Sequence, residues 1–402
     1  MLQANSATAW SVLLLCAPLV LAIPKGGAVL LAALLLVYVA TKSVSRPDYG
    51  TAARIALWLT VAMLAWHVLV SFLQGHSLRD VGPPSRLLFL PLVAYIAATR
   101  PLSVTALGCG FFLLAAVEVA VMAWQLAFLD PAALQRAEGT TGRQLVSAAF
   151  AWVAALVVLA TVRSAPLSSA LKALIGISVM LLAVTAIALA GARGVAVAVP
   201  VAMLVLAILN RKPGLALLGV GLFAFLMLLP GVLGDRMLSG VPTELAELER
   251  GNASTSVGAR AEMWRVAFDL LAANPWVGAG AEGYKSAMAA KLAAGEVSIG
   301  AARWGEPHND YLMFGAFYGL PSLVLFLLLM GFLIAAFMKV AREAGQTERG
   351  HVAIAGIGMV VSYLVFCATS SFFAAQSPTT FFVFFAGLLL GICYRSEPAA
   401  RA

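Results

Sequence analysis

The sequence predicts an all-α polytopic membrane protein, with about twelve transmembrane helices and one large loop outside the bilayer. Composition is the first observation: of 402 residues, 62% are hydrophobic and 11% charged. Soluble domains carry roughly 45–50% apolar and about 25% charged residues, so the polar surface that a water-soluble body of this length needs is missing. The second observation is the mean hydropathy of +0.96. The third is that apolar residues form continuous, charge-poor runs, which suit helices; the strands of a membrane β-barrel alternate apolar and polar over about 10 residues.

A bilayer core of about 30 Å takes roughly 20 apolar residues as helix. In chain order the runs are Ala9–Ile23, Gly27–Ala40, Ala52–Leu73, Leu87–Ala98, Val104–Leu129, Leu145–Val162, Leu171–Ala190, Gly194–Leu209, Leu215–Pro230, Tyr311–Met338, Val352–Phe373 and Thr379–Tyr394. Met1 to Thr8 has no Lys or Arg, so the first run lacks the charged start of a cleaved signal peptide and is expected to be a retained helix. Cys16, Cys109, Cys367 and Cys393 sit within apolar runs, which argues against a disulfide framework or a cysteine metal site.

A cytoplasmic N-terminus places Lys42, Arg46, Arg54, Arg100, Arg163, Lys172, Arg211, Lys212, Lys339, Arg342, Arg349, Arg395 and Arg401 inside. It leaves Lys25, Arg79, Arg86, Arg136, Arg143 and Arg193 in the outer loops. Positive-inside bias then puts both termini in the cytoplasm. Topology also accounts for the net charge of +8. The basic residues stand singly between apolar runs and form no stripe interleaved with aromatics, which argues against nucleic acid as a partner. Three segments follow: the first set of transmembrane helices over 1–230, a large loop outside the cytoplasm over 231–307, and the last transmembrane helices with a short cytoplasmic tail over 308–402. Within the loop, Asp235 to Glu249 reads as an amphipathic, acid-rich stretch. Ser254 to Ala273 reads as a helix ended by Asn274-Pro275. The loop is therefore expected to be ordered, with two helices at the outer membrane surface.

Ionisable groups inside lipid-facing helices are costly. Glu118 is the acid deep in a run and His67 lies in the third; each reads either as a buried polar contact between helices or as part of a proton relay. The outer face carries a fuller constellation. Arg193, in Ala190-Gly191-Ala192-Arg193-Gly194, sits in a tight outer connection at the headgroup level. An arginine there either anchors a helix by snorkelling or binds an anion, and the flanking glycines favour the second by letting backbone N–H groups approach a ligand.

The segment Gly258 to Arg265 opens the loop helix. At about 100° per residue Trp264 lies near Arg260 on one face, while Arg265 shares another face with Glu262 and Asp269. Arg265 thus has carboxylates at helical spacing. Arg260 has none and stands near the positive helix end, which makes it the better anion ligand, with Arg265 as a support or second contact. Gly278-Ala279-Gly280-Ala281-Glu282-Gly283 matches the dinucleotide pattern G-x-G-x-x-G, but it follows a helix ended by Pro275 and has no βαβ unit. It reads instead as a turn bringing Tyr284 and Lys285 near the membrane. Pro307 suits the first turn of a helix, placing His308 at the N-terminus of the tenth run. The helix dipole there disfavours an imidazolium while Glu306 and Asp310 favour one. His308 is either structural or a general base. Arginines converging with a histidine suit a ligand with a diphosphate and a hydroxyl to be deprotonated, because guanidiniums stay charged and bind phosphate bidentately. No Asp/Glu pair or His/Asp cluster has metal-ligand spacing, so the expected site uses no metal and no cofactor.

The tight-turn Arg193, the R-x-x-x-W of Arg260 to Trp264, the N-P-x-x-G-x-G of Asn274 to Gly280, and the H-N-x-Y-L of His308 to Leu312 followed by Gly315 and Gly319 together resemble, in matching order, the O-antigen ligase family. That family includes lipopolysaccharide O-antigen ligases, O-antigen polymerases and some protein O-oligosaccharyltransferases. The resemblance implies a GT-C-like glycosyltransferase of the bacterial inner membrane with its active site facing the periplasm. The donor would be O-antigen polysaccharide on undecaprenyl diphosphate, and the acceptor a hydroxyl of lipid A–core, in lipopolysaccharide biosynthesis. It further implies that Arg193 and Arg260 hold the diphosphate with Arg265 as a third cation, and that His308 activates or orients the acceptor hydroxyl, with inversion at the anomeric carbon. Trp264, Asn309, Tyr311, Tyr284 and Lys285 are supporting candidates. Polymerases share the arginine-rich outer face, but the clear H-N-x-Y-L favours a ligase; protein O-oligosaccharyltransferases are usually longer. An anion or solute transporter is the alternative from another class. Its binding groups would sit near the bilayer midplane at broken helices, whereas these candidates gather at the outer surface.

Overall fold

The computed structural model describes residues 2–23, 26–40, 50–75, 81–129, 136–228 and 240–395. In chain order its helices are α1 (Leu2–Ala22), α2 (Gly26–Ala40), α3 (Gly50–Leu73), α4 (Gly82–Ser85), α5 (Phe89–Thr99), α6 (Val104–Phe128), α7 (Gln144–Ser164), α8 (Ser169–Ala190), α9 (Arg193–Asn210), α10 (Pro213–Leu228), α11 (Val241–Glu249), α12 (Ser256–Ala273), α13 (Gly280–Ala293), α14 (Ile299–Ala302), α15 (Asp310–Ala344), α16 (Glu348–Thr369) and α17 (Gln376–Cys393). A 3-10 turn, Arg86–Leu88, joins α4 to α5, and the described residues hold no strand. The chain is an all-helical, multi-pass membrane protein. Each of the twelve predicted runs overlaps a helix, and among the described residues eight helices, α3, α6, α7, α8, α9, α15, α16 and α17, are long and apolar enough to cross a membrane. Shorter apolar stretches are Ala7–Ala22 within α1, Arg86–Thr99 around α5, and Pro213–Leu228, which is α10. Lys25, Lys42, Arg46, Arg79, Arg401 and the stretch from Gly231 to Ser239 lie outside the described residues.

Apolar burial drives helix association weakly in lipid, so close packing and interhelical hydrogen bonds do more of the work. Both devices are present. Gly387 and Gly391 let α17 lie directly on α5, where an added Cβ would stand 2.7 Å from the Leu90 carbonyl oxygen and 2.3 Å from that of Ala94. Trp152 on α7 donates from Nε1 to Ser362 Oγ on α16 at 2.9 Å.

Helix α15 is broken near its start. Gly319 has φ +80°, a conformation open chiefly to glycine, and Pro321 follows it two residues on. Into this break docks the Asn274–Gly280 segment: Leu320 donates its N–H to the Pro275 carbonyl and Ala279 to that of Ala316, each at 2.7 Å. A Cβ on Gly319 would meet the Trp276 carbonyl oxygen at 2.0 Å. From the other side α3 and the residue that follows it cap the freed carbonyls. Trp66 Nε1 donates to Tyr318 O at 2.8 Å and Gln74 Nε2 to Phe317 O at 3.1 Å. His67 contacts Ser322 Oγ at 2.7 Å and stacks on Tyr318. Protein groups therefore fill the polar gap that a helix break opens in a membrane, and His67 takes the interhelical-contact role. Glu118 does the same for the α6–α7 connection, accepting the Thr140 N–H at 3.0 Å, while Gln125 Oε1 accepts from Glu138 and Gly139.

Between α10 and α15 the expectation of two helices is exceeded: α11, α12, α13 and the short α14 are all present. Helix α12 begins after Thr255, whose Oγ1 accepts the Gly258 N–H, and stops at Asn274 before Pro275. The glycine turn read at Gly278–Gly283 is shorter than expected, since α13 already starts at Gly280.

Candidate active site

Four interhelical connections and the start of α12 meet at one end of the bundle around a cleft of about 940 Å³. Residues from 136–146, 190–194, 254–263 and 369–375 line it, together with Trp304, Glu306 and His308. Five arginines (Arg136, Arg143, Arg193, Arg260 and Arg303) face this space, against the carboxylates of Glu138 and Glu306.

Arg193 is delivered by the turn at which α8 ends. Gly191 is the left-handed C-cap and Arg193 begins the next helix two residues later. Its guanidinium reaches Glu244 Oε1 on α11 at 3.5 Å and Ser256 Oγ at 3.2 Å. Glu244 in turn accepts the Val257 N–H at 2.8 Å, so Arg193 is fixed against the first turn of α12. Arg260 comes from one turn further along α12. Its Nε is buried without a hydrogen-bond partner, and among the described residues neither Arg260 nor Arg136 forms an ion pair. Burial lowers the basicity of Arg260, and the charges of Arg193 and then Arg136 lower it further; Glu244 and Glu306 partly offset this. Burial and the Arg193 charge likewise lower the basicity of Arg136. Confining like charges in a partly desolvated space is unfavourable until an anion enters.

His308 occupies the opposite side of the electrostatics. It is one of two non-glycine residues with positive φ among the described residues, at +52°, a left-handed conformation that costs of order 1–3 kcal/mol and is held only where the surroundings enforce it. Glu306 enforces it: Oε2 accepts the His308 N–H at 2.7 Å and Oε1 lies against Nδ1. Trp304 packs its ring 4.5 Å from the imidazole. Burial opposes ionisation of Glu306, but hydrogen bonds from His308 and Ser371 and the His308 charge hold its carboxyl below the usual range. Ser371 also accepts the Asn309 N–H at 3.1 Å. The buried Asp310 accepts the N–H groups of Phe372 and Phe373 at 2.7 and 3.0 Å, locking the α16–α17 connection to the start of α15. Pro307 and His308 are not in the first helical turn, as the sequence suggested; α15 starts at Asp310, with Asn309 as N-cap accepting from Leu312 N at 3.1 Å.

Arg193, Arg260 and His308 therefore line one cleft, and the other candidates lie elsewhere. Arg265 donates to the Glu296 carbonyl at 3.1 Å, away from the cleft. Its expected carboxylates have other partners: Glu262 accepts from Ser298 N and Oγ, and Asp269 lies 3.7 Å from Lys291. Trp264 is exposed and Met263 takes the cleft-facing position. Tyr284 is fully buried, 5.7 Å from Phe317, and burial with the Glu306 charge pushes its phenol up, away from acid–base work at neutral pH. Lys285 pairs with Glu282 at 2.6 Å. Asn309 caps α15, and Tyr311 ties it to α16 through the Leu364 carbonyl at 2.7 Å. The residues that sequence reading passed over are Arg136, Glu306 as a direct partner of His308, and Ser371. Only the two-residue spacing of Glu306 and His308 is a local signal.

Residues 177–327 match the family model described as O-antigen ligase. This stretch is an O-antigen ligase family domain. Members of the O-antigen ligase family are membrane glycosyl-transfer enzymes, and the matched stretch carries Arg193, Arg260, Glu306 and His308. Arg136 and Ser371 complete the cleft from outside it. The chain is also similar to an uncharacterized protein of Haemophilus influenzae, 27% identical over 217 residues, which are 52% of this chain and 54% of that protein. The likeness thus spans about half the length of the curated relative it matches.

Proposed function

We propose that this protein is an inverting, metal-independent O-antigen ligase with a GT-C-like arrangement. It moves O-antigen polysaccharide from undecaprenyl diphosphate to a hydroxyl of lipid A–core at the periplasmic face of the inner membrane. The observation that carries this reading is one cleft holding crowded arginines and a carboxylate-gripped histidine. Glu306 against Nδ1 favours the tautomer with the proton on that nitrogen, leaving Nε2 to accept one. The acceptor oxygen attacks the anomeric carbon as its proton passes to His308 Nε2. The bond from that carbon to the diphosphate oxygen breaks on the opposite face. Arg260, Arg193 and Arg136 neutralise the charge left on the lipid diphosphate, a role for which permanently charged, partly desolvated guanidiniums are suited. A cleft of about 940 Å³ is at the upper end of ordinary ligand pockets, in keeping with two glycolipid headgroups meeting there.

The test is purified protein in liposomes with undecaprenyl-diphosphate glycan and lipid A–core, read by a gel shift of the acceptor, with His308→Ala alongside. Acceptor product that disappears in the variant is expected. Glycan lengthening on the lipid carrier without core transfer would make the protein a polymerase, and glycan or anion flux without either product would make it a transporter.

A further inference from the structure

A second cavity opens at the same end of the bundle as the cleft. It has a volume of about 450 Å³ and lies between the end of α1, the start of α5 and the first turns of α17. Its walls are mostly apolar, from Leu21, Ile23, Phe89, Val93, Val383 and Phe384, with a polar edge from Gln376, Ser377 and Thr380. Ile23 and Phe89 are among the exposed large hydrophobics, so the groove is open to the surrounding lipid. One charged residue lines it, Arg86. The Nη1 of Arg86 is buried and has no hydrogen-bond partner, and among the described residues Arg86 makes no ion pair. A guanidinium nitrogen removed from water with nothing to donate to is costly. An apolar groove with one such donor on its wall is complementary to an acyl chain ending in a phosphate.

The groove and the cleft share a wall. Ala375 lines the cleft, and the next two residues, Gln376 and Ser377, line the groove. Ser377 Oγ also bonds the Leu21 carbonyl at 3.4 Å, tying α17 to the end of α1 beside it.

We propose that this groove seats the phosphorylated acceptor lipid, an acyl chain along the apolar walls and a lipid phosphate on Arg86, so that the acceptor glycan reaches the cleft over the start of α17. The proposal rests on the transfer reaction above. The diphosphate of the donor is assigned to the cleft arginines; a separate phosphate site on the same side is what a second lipid substrate requires.

The experiment compares wild-type, Arg86→Gln, Arg86→Lys and the groove-filling Thr380→Trp in liposomes, varying donor and acceptor separately, with the acceptor supplied with and without its lipid phosphates. Arg86→Gln is expected to raise the acceptor KM about tenfold, the loss of a charged hydrogen bond, with kcat and donor KM unchanged. Arg86→Lys should recover part of that loss. The dephosphorylated acceptor should not distinguish wild-type from Arg86→Gln, and Thr380→Trp should weaken acceptor binding in both forms. A rise in donor KM instead would assign the groove to the polyprenyl chain and overturn the proposal, as would no change in either KM. Native mass spectrometry of the same proteins with the acceptor lipid separates this from failure of the proposed reaction. Phosphate-dependent binding lost in Arg86→Gln supports the groove even where wild-type transfers nothing, and binding equal in all four proteins overturns it.

Discussion

The two ends of the helical bundle treat their basic residues differently. Away from the cleft, cations complete helix C-termini: Arg349 Nε donates to the Cys393 carbonyl and Lys172 Nζ to that of Arg163, each at 2.8 Å. Arg395 reaches the Leu102 carbonyl at 2.9 Å and Glu348 at 3.5 Å. Arg100 bonds the Tyr38 carbonyl at 3.0 Å through Nη2 and lies over the Tyr38 ring, although its Nε and Nη1 are buried without hydrogen-bond partners. Carbonyls at helix ends have no intrahelical partner and carry the negative end of the dipole, so these cations stabilise the fold. At the cleft end the pattern reverses. Burial and the neighbouring arginine charges lower the basicity of Arg260 and Arg136, and Arg260 Nε has nothing to bond. The comparison teaches that a basic residue in such a bundle is read by what surrounds its guanidinium: a helix-end carbonyl holds it in a structural role, whereas neighbouring arginines leave its charge available, as the proposed diphosphate role requires.

The largest effect that sharpens this contrast is expected from Arg260→Ala. Transfer should fall about 10²–10³-fold, the scale of losing one preorganised charge-stabilising donor, while the purified protein melts at the wild-type temperature. A protein that unfolds instead would place Arg260 with the structural cations and erase the contrast. Next is Glu306→Gln, which should lower kcat by about 10²-fold because the imidazole loses its orienting carboxylate. Its stability effect has a defined sign. The carboxyl of Glu306 is held below the usual range in the folded protein, so its contribution is complete above the ordinary value near 4.3 and lost as pH falls through the lower folded value. Melting curves from neutral to acid pH should therefore show wild-type and Glu306→Gln converging at the acid end; a constant gap would show that the carboxylate is not ionised in the fold.

At the other end, Arg349→Ala should leave turnover unchanged and reduce stability by about 1–3 kcal/mol, the cost of an orphaned carbonyl and its lost charged donor, seen as a lower melting temperature. Arg265→Ala comes after it, with activity within about twofold of wild-type, because the Arg265 bond to the Glu296 carbonyl is solvent-exposed. Loss equal to that of Arg260→Ala would mean that α12 presents a different face to the substrate. Addition of EDTA should change nothing, and a rate restored only by a divalent cation would remove the arginines from their charge-stabilising role.

Much of the helical plan follows from the order of residues alone. Continuous apolar runs, Thr255 before α12, and Asn274-Pro275 after it act within a few turns, so they are encoded locally and readable without neighbours. The same holds for the glycines of the tight turn beside Arg193, and for Arg260 and His308 as chemically suited groups. What sequence alone left open was partnership. Helical spacing offers Arg265 the carboxylates of Glu262 and Asp269, yet Ser298, from the turn into α14, bonds Glu262, and Lys291, from α13, lies 3.7 Å from Asp269. Tyr284 and Tyr311 carry reactive-looking hydroxyls, but packing buries one and bonds the other to a carbonyl of α16. Arg136 reaches the cleft because Glu118 and Gln125 hold the α6–α7 connection, and Ala137 N–H bonds the Leu189 carbonyl of α8, contacts between residues far apart in sequence. Periodicity and capping are properties of adjacent residues and survive in any fold of the chain. The convergence of residues 136, 193, 260 and 308 on one cleft depends on how distant helices cross and on which carbonyls their packing leaves unpaired, and only the tertiary structure decides that.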